Sequence, residues 1–498
     1  MRFYCGRQIG NRNKVTAGNS FRVAGKQRKG DTGMNNTVIL DERKSFIRLG
    51  SGKNGISCDS DSLSGAVSQR ACVYCGARVV LNPITDAFHI VHGPIGCASY
   101  TWDIRGSLTS GSETYRNSFS TDLSEQDVVF GGEKKLTAAI DELVQKHSPR
   151  LIFVYATCIV GVIGDDVQAV CREAEKKYGI RVIPVQSPGF SGNKSYGYKM
   201  ACNAIMDLIA PHTTTEEKRG INILGDFNLA GEMWIIQNYM KEIGIDVRAT
   251  ITGDASYESI IKAPGAALNI VQCAGSMTYL ANRMEQEMGI PFIKISFFGV
   301  EDTGASLIRI AEAVGSPENV ARARAFAKRE EQRLQGFLDA YKPRLAGKKA
   351  AIYVGGGFKA ISLIRQFNAL GMKTVVVGTQ TGKPEDYEMI AQLVSSDTVI
   401  LDDANPAELE AFMKQTGADI LVGGVKERPL AYKLGIAFCD HNHERKHALA
   451  GYDGVINFVQ EIDKSINSPV WRLLQTSLPD GMPEPCSDTP IECEVVSA

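Results

Sequence analysis

Three cysteines raise the chemical question in this chain. Cys72 lies in ACVYCGARVV, Cys97 follows 25 positions later in HGPIGCASYTW, and Cys158 a further 61 later in LIFVYATCIVGVIGDD. Each adjoins a loop. A thiolate is the metal-binding form of cysteine and is favoured at a helix N-terminus, where Cys158 is expected, between an apolar run and a helical stretch. Cys97 follows His-Gly-Pro-Ile-Gly, a loop whose backbone can approach a ligand closely. Zinc ribbons and fingers use paired Cys-x2–4-Cys units, and these spacings do not match them. Cys72 and Cys75 form one such pair without a second, and Cys75 reads as a structural or spare thiol. Three thiolates are one short of the usual four ligands of an iron–sulfur cluster. An incomplete set points to a partner chain that supplies the rest.

A second group involves Cys273 in ALNIVQCAGSMTYLA, placed after a strand and before a helix. By residue type alone it is a core cysteine. YVGGGFKA holds G-x-G-x-x-A (Gly355, Gly357, Ala360) between a strand and a helix. A dinucleotide site needs an acid at the end of the next strand, and KTVVVGTQ ends without one. The backbone amides of Gly356 and Gly357 are instead expected to face an anion. Cys439, His441, Asn442 and His443 crowd one short stretch, FCDHNHERKH.

The elements that must position these groups alternate. From residue 150, RLIFVYAT, IRVIPVQ, INILGDFN, DVRATITG, AALNIVQC, PFIKISFFG, KKAAIYVGG, KTVVVGT, DTVILDD and DILVGG read as strands, mostly separated by helical stretches. This is the pattern of parallel sheets covered by helices on both faces. The predicted fold class is α/β, with three doubly wound Rossmann-like domains and mostly parallel sheets. The expected divisions are a flexible segment 1–50, α/β domains at 51–215, 216–345 and 346–475, and a flexible tail 476–498. PENVARARAFAKREEQRLQGFLDAYKPRLAG reads as a solvated linking helix. Ligands in such folds gather at the carboxyl ends of strands, where the crossovers diverge.

Composition narrows the function. A formal net charge of −1 over 498 residues gives no electrostatic footprint for nucleic acid or an anionic membrane surface. No apolar run reaches about 18 residues, so no membrane span is expected. Twelve cysteines in so long a chain, with 44% hydrophobic residues, do not make a secreted disulfide scaffold. Reduced thiols in the cytoplasm are expected, and Cys486 and Cys493, in the proline-rich tail, have no metal role. The basic first 33 residues lack the apolar segment of a secretory signal.

From Met34 to Trp471 the chain resembles the family formed by the nitrogenase molybdenum–iron protein subunits and the sister proteins that assemble their cofactor. The motifs are CVYCGARVVLNPITDAFHIVHGPIGCASYTWDIRG, STDLSEQDVVFGGEKKL, IVQCAGSMTYLA, GIPFIKISFFGVEDT and LVGGVKERPLAYKLGIAF. The resemblance implies that Cys72, Cys97 and Cys158 ligate a [4Fe-4S] cluster at the interface with a NifN-like homologous subunit, in an α2β2 heterotetramer. It implies that Cys273 binds the iron–molybdenum cofactor or its eight-iron precursor. Arg105 matches an arginine lining the cofactor pocket, and Lys426 a lysine near homocitrate. Lys194 is expected where the catalytic relative has a glutamine.

The informative departure is at Asn442, flanked by His441 and His443, where the catalytic relative presents a histidine ligand. A carboxamide is a poor donor to a borderline metal, and an imidazole is a good one. One strong ligand would hold a cofactor and still let it leave. The expected function is therefore a scaffold. It receives a precursor from a NifB-type donor, gains molybdenum and homocitrate through the nitrogenase iron protein, and passes the product to apo-nitrogenase. The alternative is a catalytic nitrogenase α subunit, which should carry histidine at 442. Protochlorophyllide reductase relatives would share the interface cysteines but not QCAGS and GVKE.

Overall fold

A computed structural model describes residues 41–52, 55–58, 71–102, 108–111, 117–214, 217–442 and 444–471. Fourteen strands in these residues form three sheets. In chain order they are β1 (Ile47–Leu49), β2 (Ala87–His92), β3 (Ser118–Ser120), β4 (Leu151–Ala156), β5 (Arg181–Gln186), β6 (Ile221–Leu224), β7 (Val247–Ile251), β8 (Leu268–Val271), β9 (Phe292–Lys294), β10 (Lys349–Val354), β11 (Lys373–Thr379), β12 (Val399–Asp402), β13 (Ile420–Gly423) and β14 (Ala437–Asp440).

The first sheet has the order β3-β2-β4-β5 and the second β7-β6-β8-β9; all their pairings are parallel. The third runs β1-β12-β11-β10-β13-β14, and only β1 is antiparallel. LIFVYA, INIL, LNIV and ILVG are buried at every position. Continuous apolar runs of this kind suit strands covered on both faces, whereas a strand with one wet face alternates. The mixed α/β architecture with parallel sheets expected from the sequence is the one observed.

Each sheet reverses its strand order at one place: between β2 and β4, between β6 and β8, and between β10 and β13. The helical crossovers diverge there, leaving a crevice beyond the carboxyl ends of the two strands. Cys97 and Cys158 follow β2 and β4; Asp226 and Cys273 follow β6 and β8; Gly356 and Lys426 follow β10 and β13. The same topological rule therefore positions all three groups.

The expected flexible segment 1–50 needs correction over its last residues. Asp41–Phe46 form a 3-10 turn and β1 pairs with β12. Arg43 holds them in place by a two-pronged ion pair, with Nε and Nη2 each 2.9 Å from a Glu408 carboxylate oxygen. Local polarity suggested a flexible segment, but the partner that orders it lies 365 positions away. Residues 1–40 and the tail 472–498 lie outside the described residues. The expected linking helix spans Pro317–Leu345. It carries surface ion pairs such as Arg324–Glu312 and Arg329–Glu242. Exposed pairs of this kind contribute little stability, so these charges serve mainly to keep the helix in water.

Candidate functional site

The Cys72 segment is held by its neighbours. Cys72 is the N-cap of the helix Val73–Leu81 and forms an antiparallel bridge with Asn193, which caps the helix Lys194–Ile209. The two helices meet backbone to backbone. A Cβ on Gly197 would fall 2.8 Å from the Ala77 nitrogen, so only glycine permits this approach. Cys97 lies on Ile95–Trp102, and Cys158 opens Cys158–Ile163.

These three cysteines, far apart in sequence, converge. A Cβ on Gly189 would sit 2.9 Å from Cys158 Sγ and 3.2 Å from Cys72 Cβ, and the Gly189 N–H donates to Cys158 Sγ at 3.0 Å. Burial first, then the Cys158 and Cys72 sulfurs, pushes the Cys97 thiol up. Clustered thiols thus oppose one another's ionisation, and bound cations would relieve that opposition. Among the described residues no three His, Cys, Asp or Glu side chains gather round a single metal ion. Three thiols around a shared space instead suit ligands that each take a different iron of a cluster. Around them the surface is apolar: Ile95, Val162 and Phe190 are 54%, 73% and 64% exposed. Cys75 is buried, and its thiol is pushed up chiefly by desolvation, consistent with a structural thiol.

Gly189→Ala tests the cradle. The added methyl has no room beside the Cys158 sulfur, while the surrounding turn is exposed. Iron bound at this site should fall severalfold, with Tm changed by no more than the few degrees of a surface substitution. Iron analysis alongside a thermal melt reads both; full iron retention would show that Gly189 does not shape the site.

The second crevice joins the second and third sheets. Cys273 is the N-cap of Ala274–Met288, and its neighbour across the crevice is Gly225. Gly225 has φ +86° and a Cβ there would lie 2.9 Å from Cys273 Cβ, so position and conformation both demand glycine. The cavity leaves about 140 Å³ open to the centre of a water-sized sphere, against roughly 10–15 Å³ on the same measure for one water. It takes a multi-atom guest. Cys273, Lys194, Gly356, Gly357 and Asn442 all line it. Lys426 does not line it; it sits in the turn after β13, where its charge reaches Cys75. Arg105 and His443 lie outside the described residues.

The cavity is electropositive. Lys194, Lys294, Lys359, Lys383 and Arg445 line it, against Asp226, Glu385 and Asp386. Burial and then the Arg445 charge push Lys359 below its ordinary value. Its ammonium donates to the His441 carbonyl at 3.1 Å and lies 5.5 Å from the Phe298 ring centre. Burial, reinforced by Glu232, raises the Asp226 carboxyl, and Gln272 Nε2 donates to it at 2.9 Å. A wall of crowded cations with a carboxyl inclined to stay neutral suits an anionic guest.

Arg445 organises the Asn442 loop. Its Nε meets Glu232 Oε1 at 2.6 Å with both side chains buried, and Nη1 donates to the Asn442 carbonyl at 2.7 Å. The Asn442 N–H donates to Asp440 Oδ1 at 2.8 Å. Two neighbours are not the accessible ligands their residue types suggested. Cys439 is wholly buried in β14 within the main core, and His441 lies between the rings of Phe298 and Phe458. The strand-end geometry turns both inward. Sequence reasoning missed Lys359, Arg445 and Glu232. Lys359 comes two residues after the glycine run, a usable signal; the Arg445–Glu232 pairing spans 213 positions and had none.

Residues 72–467 match the family described as nitrogenase component 1 type oxidoreductase. The chain is 70% identical over 442 residues to the nitrogenase iron-molybdenum cofactor biosynthesis protein NifE of Clostridium pasteurianum, covering 88% of this chain and 97% of that one. The protein of the same name from Methanosarcina barkeri is 53% identical over 450 residues, again 88% of this chain and 97% of the relative. A solved structure titled nitrogenase Cp1 at pH 6.5 superposes with a TM-score of 0.81 at 30% identity, covering 88% of this chain and 96% of that one.

Proposed function

Since this chain belongs to the nitrogenase component 1 type oxidoreductase family, we propose that it is a scaffold on which the nitrogenase iron–molybdenum cofactor is completed and from which it is released. The observation that carries this reading is the asymmetry of the second cavity. Among the described residues a single thiol, Cys273, stands on one side, and an amide, Asn442, stands on another where a permanent site would want an imidazole.

The cargo is an eight-iron precursor from a NifB-type donor. Cys273 anchors it; Lys194, Lys359 and the Gly356 and Gly357 amides balance its negative charge. Molybdenum and homocitrate arrive through the nitrogenase iron protein; the roles of Lys426 beside homocitrate and of Arg105 in the pocket wall rest on the family resemblance alone, since Lys426 does not line the cavity. Apo-nitrogenase is the acceptor. Cys72, Cys97 and Cys158 hold a resident [4Fe-4S] cluster, which supplies structural linkage or electron relay. The exposed apolar side chains around these cysteines support burial against a NifN-like subunit in an α2β2 assembly, which also brings the missing ligand. Among the described residues no helix is long and apolar enough to cross a membrane, in keeping with a cytoplasmic protein. A catalytic α subunit is the competing reading; Asn442 and the biosynthetic names of the relatives favour the scaffold.

Asn442→His tests the reading. If release depends on the weak donor, an imidazole there should slow transfer of loaded cofactor to apo-nitrogenase by about tenfold or more, since one added donor worth ~1.4 kcal/mol gives that factor. The rate at which acetylene reduction appears in the acceptor measures it. An unchanged transfer rate, or acetylene reduction by the unsubstituted complex at ordinary nitrogenase rates, would remove the scaffold assignment.

A further inference from the structure

Arg78 is a buried cation with no ion-pair partner among the described residues. It lies toward the end of Val73–Leu81, with only 4% of its surface exposed. Nη2 donates to the Ser118 hydroxyl, while Nε and Nη1 have no partner. Its other neighbours among the described residues are neutral, the Tyr155 phenol, which interacts with the guanidinium, included. The Tyr155 ring centre is 5.5 Å from the guanidinium carbon, and the Tyr155 hydroxyl is 2.9 Å from His89 Nδ1. Burial, then the Arg78 charge, holds His89 well below its ordinary value, so its imidazole is uncharged. Burial pushes the Tyr155 phenol up to about 12, so it stays protonated. A buried charge left unpaired is strongly unfavourable.

The guanidinium borders a cavity with about 750 Å³ of empty space, part of it open to solvent. Ser99, Ser118 and Ser120 also line it, with Phe119 as an apolar wall. Among the described residues Asp122 is the one carboxylate lining it, and Asp122 Oδ1 already accepts the Ile95 N–H at 3.3 Å. A rigid planar donor with unused N–H groups, beside hydroxyls that can donate or accept, is chemistry for an oxyanion.

We propose that this cavity binds a compact oxyanion, such as phosphate, sulfate or a small carboxylate, on the unpartnered nitrogens of Arg78 with the hydroxyls of Ser99, Ser118 and Ser120. Ala98 and Ser99 of its wall directly follow Cys97, so the anion steadies the helix that carries that thiol. The site is distinct from the cavity at Cys273 and does not depend on the scaffold reading.

The test compares thermal melts of the full-length protein in phosphate, sulfate, acetate and chloride at matched ionic strength, with 31P line broadening as a direct readout of phosphate. In the unsubstituted protein at least one oxyanion should raise Tm saturably over chloride, by mass action on the folded state. Arg78→Met should abolish that rise, and its Tm in chloride should be no lower, because the unpaired charge is gone. Ser118→Ala and Ser120→Ala leave the buried cation in place, and each should weaken the anion roughly fivefold. A Tm indifferent to all three oxyanions overturns the proposal. So does an equal rise in Arg78→Met, or in the double serine variant, which would mean an adventitious ion only.

Discussion

Cys273→Ala is expected to empty the second cavity while sparing the first. Among the described residues that line this cavity Cys273 is the one thiol, and none is a histidine. The remaining contacts are a weak amide, backbone N–H groups and cations, which attract an anionic cluster without forming a bond to iron. Losing the anchor should weaken retention more than ~100-fold, beyond the 10–100-fold typical of a group that merely orients a metal ligand. Complex isolated anaerobically from cells lacking apo-nitrogenase should drop to the iron of its interface cluster alone. The EPR signal of the precursor should vanish with it. The half-buried N-cap position and the small change of side chain imply a stability cost within about 1 kcal/mol. Iron that stays at the unsubstituted level would mean that Cys273 is not the anchor.

Arg445→Met should produce the largest loss of stability. Glu232 is fully buried and Arg445 nearly so, and removing one member strands the other's charge in the interior. Breaking such a pair costs about 3–5 kcal/mol, against near neutrality when both partners are replaced together. Thermal or urea midpoints should therefore fall sharply in Arg445→Met and recover substantially in Arg445→Met with Glu232→Gln. The pH dependence has a definite sign. Arg445 holds the Glu232 carboxyl below its ordinary value against the opposing effect of burial. The pair's stabilisation is therefore present above the unfolded carboxylate pKa and lost as pH falls through the lower folded value. The same substitution removes the Arg445 bonds to the carbonyls of His441 and Asn442, so it should also loosen the loop that faces the second cavity. Equal midpoints for the single and double variants would show that the pair is not coupled.

The sequence alone determined the layers and singled out the thiols that stand beside loops. Runs such as LIFVYA and INIL, separated by amphipathic stretches, can bury themselves only as parallel strands between helices, because both faces are apolar. Cys273 and Gly357 were legible because a strand, a short loop and a helix leave little choice about where the connecting residues lie. Cys72, Cys97 and Cys158 stood out by type and by their places beside loops. Their convergence was not readable from spacing, since it depends on the β2/β4 switch point and on Gly189 fitting against two of them.

Tertiary structure decided the rest. Residues 41–49 look like part of a flexible segment and become a 3-10 turn and a short edge strand, with Glu408 holding Arg43. Cys439 and His441 look like ligands beside Asn442 and face the core because β14 ends there. Lys359, Arg445, Glu232 and Arg78 carry charges that composition treats as solvated, and only the folded chain reveals their burial. Local preference is set within a few residues by backbone sterics and apolar periodicity. The energy of a buried charge depends instead on groups hundreds of positions away, so it exists only once the sheets have assembled.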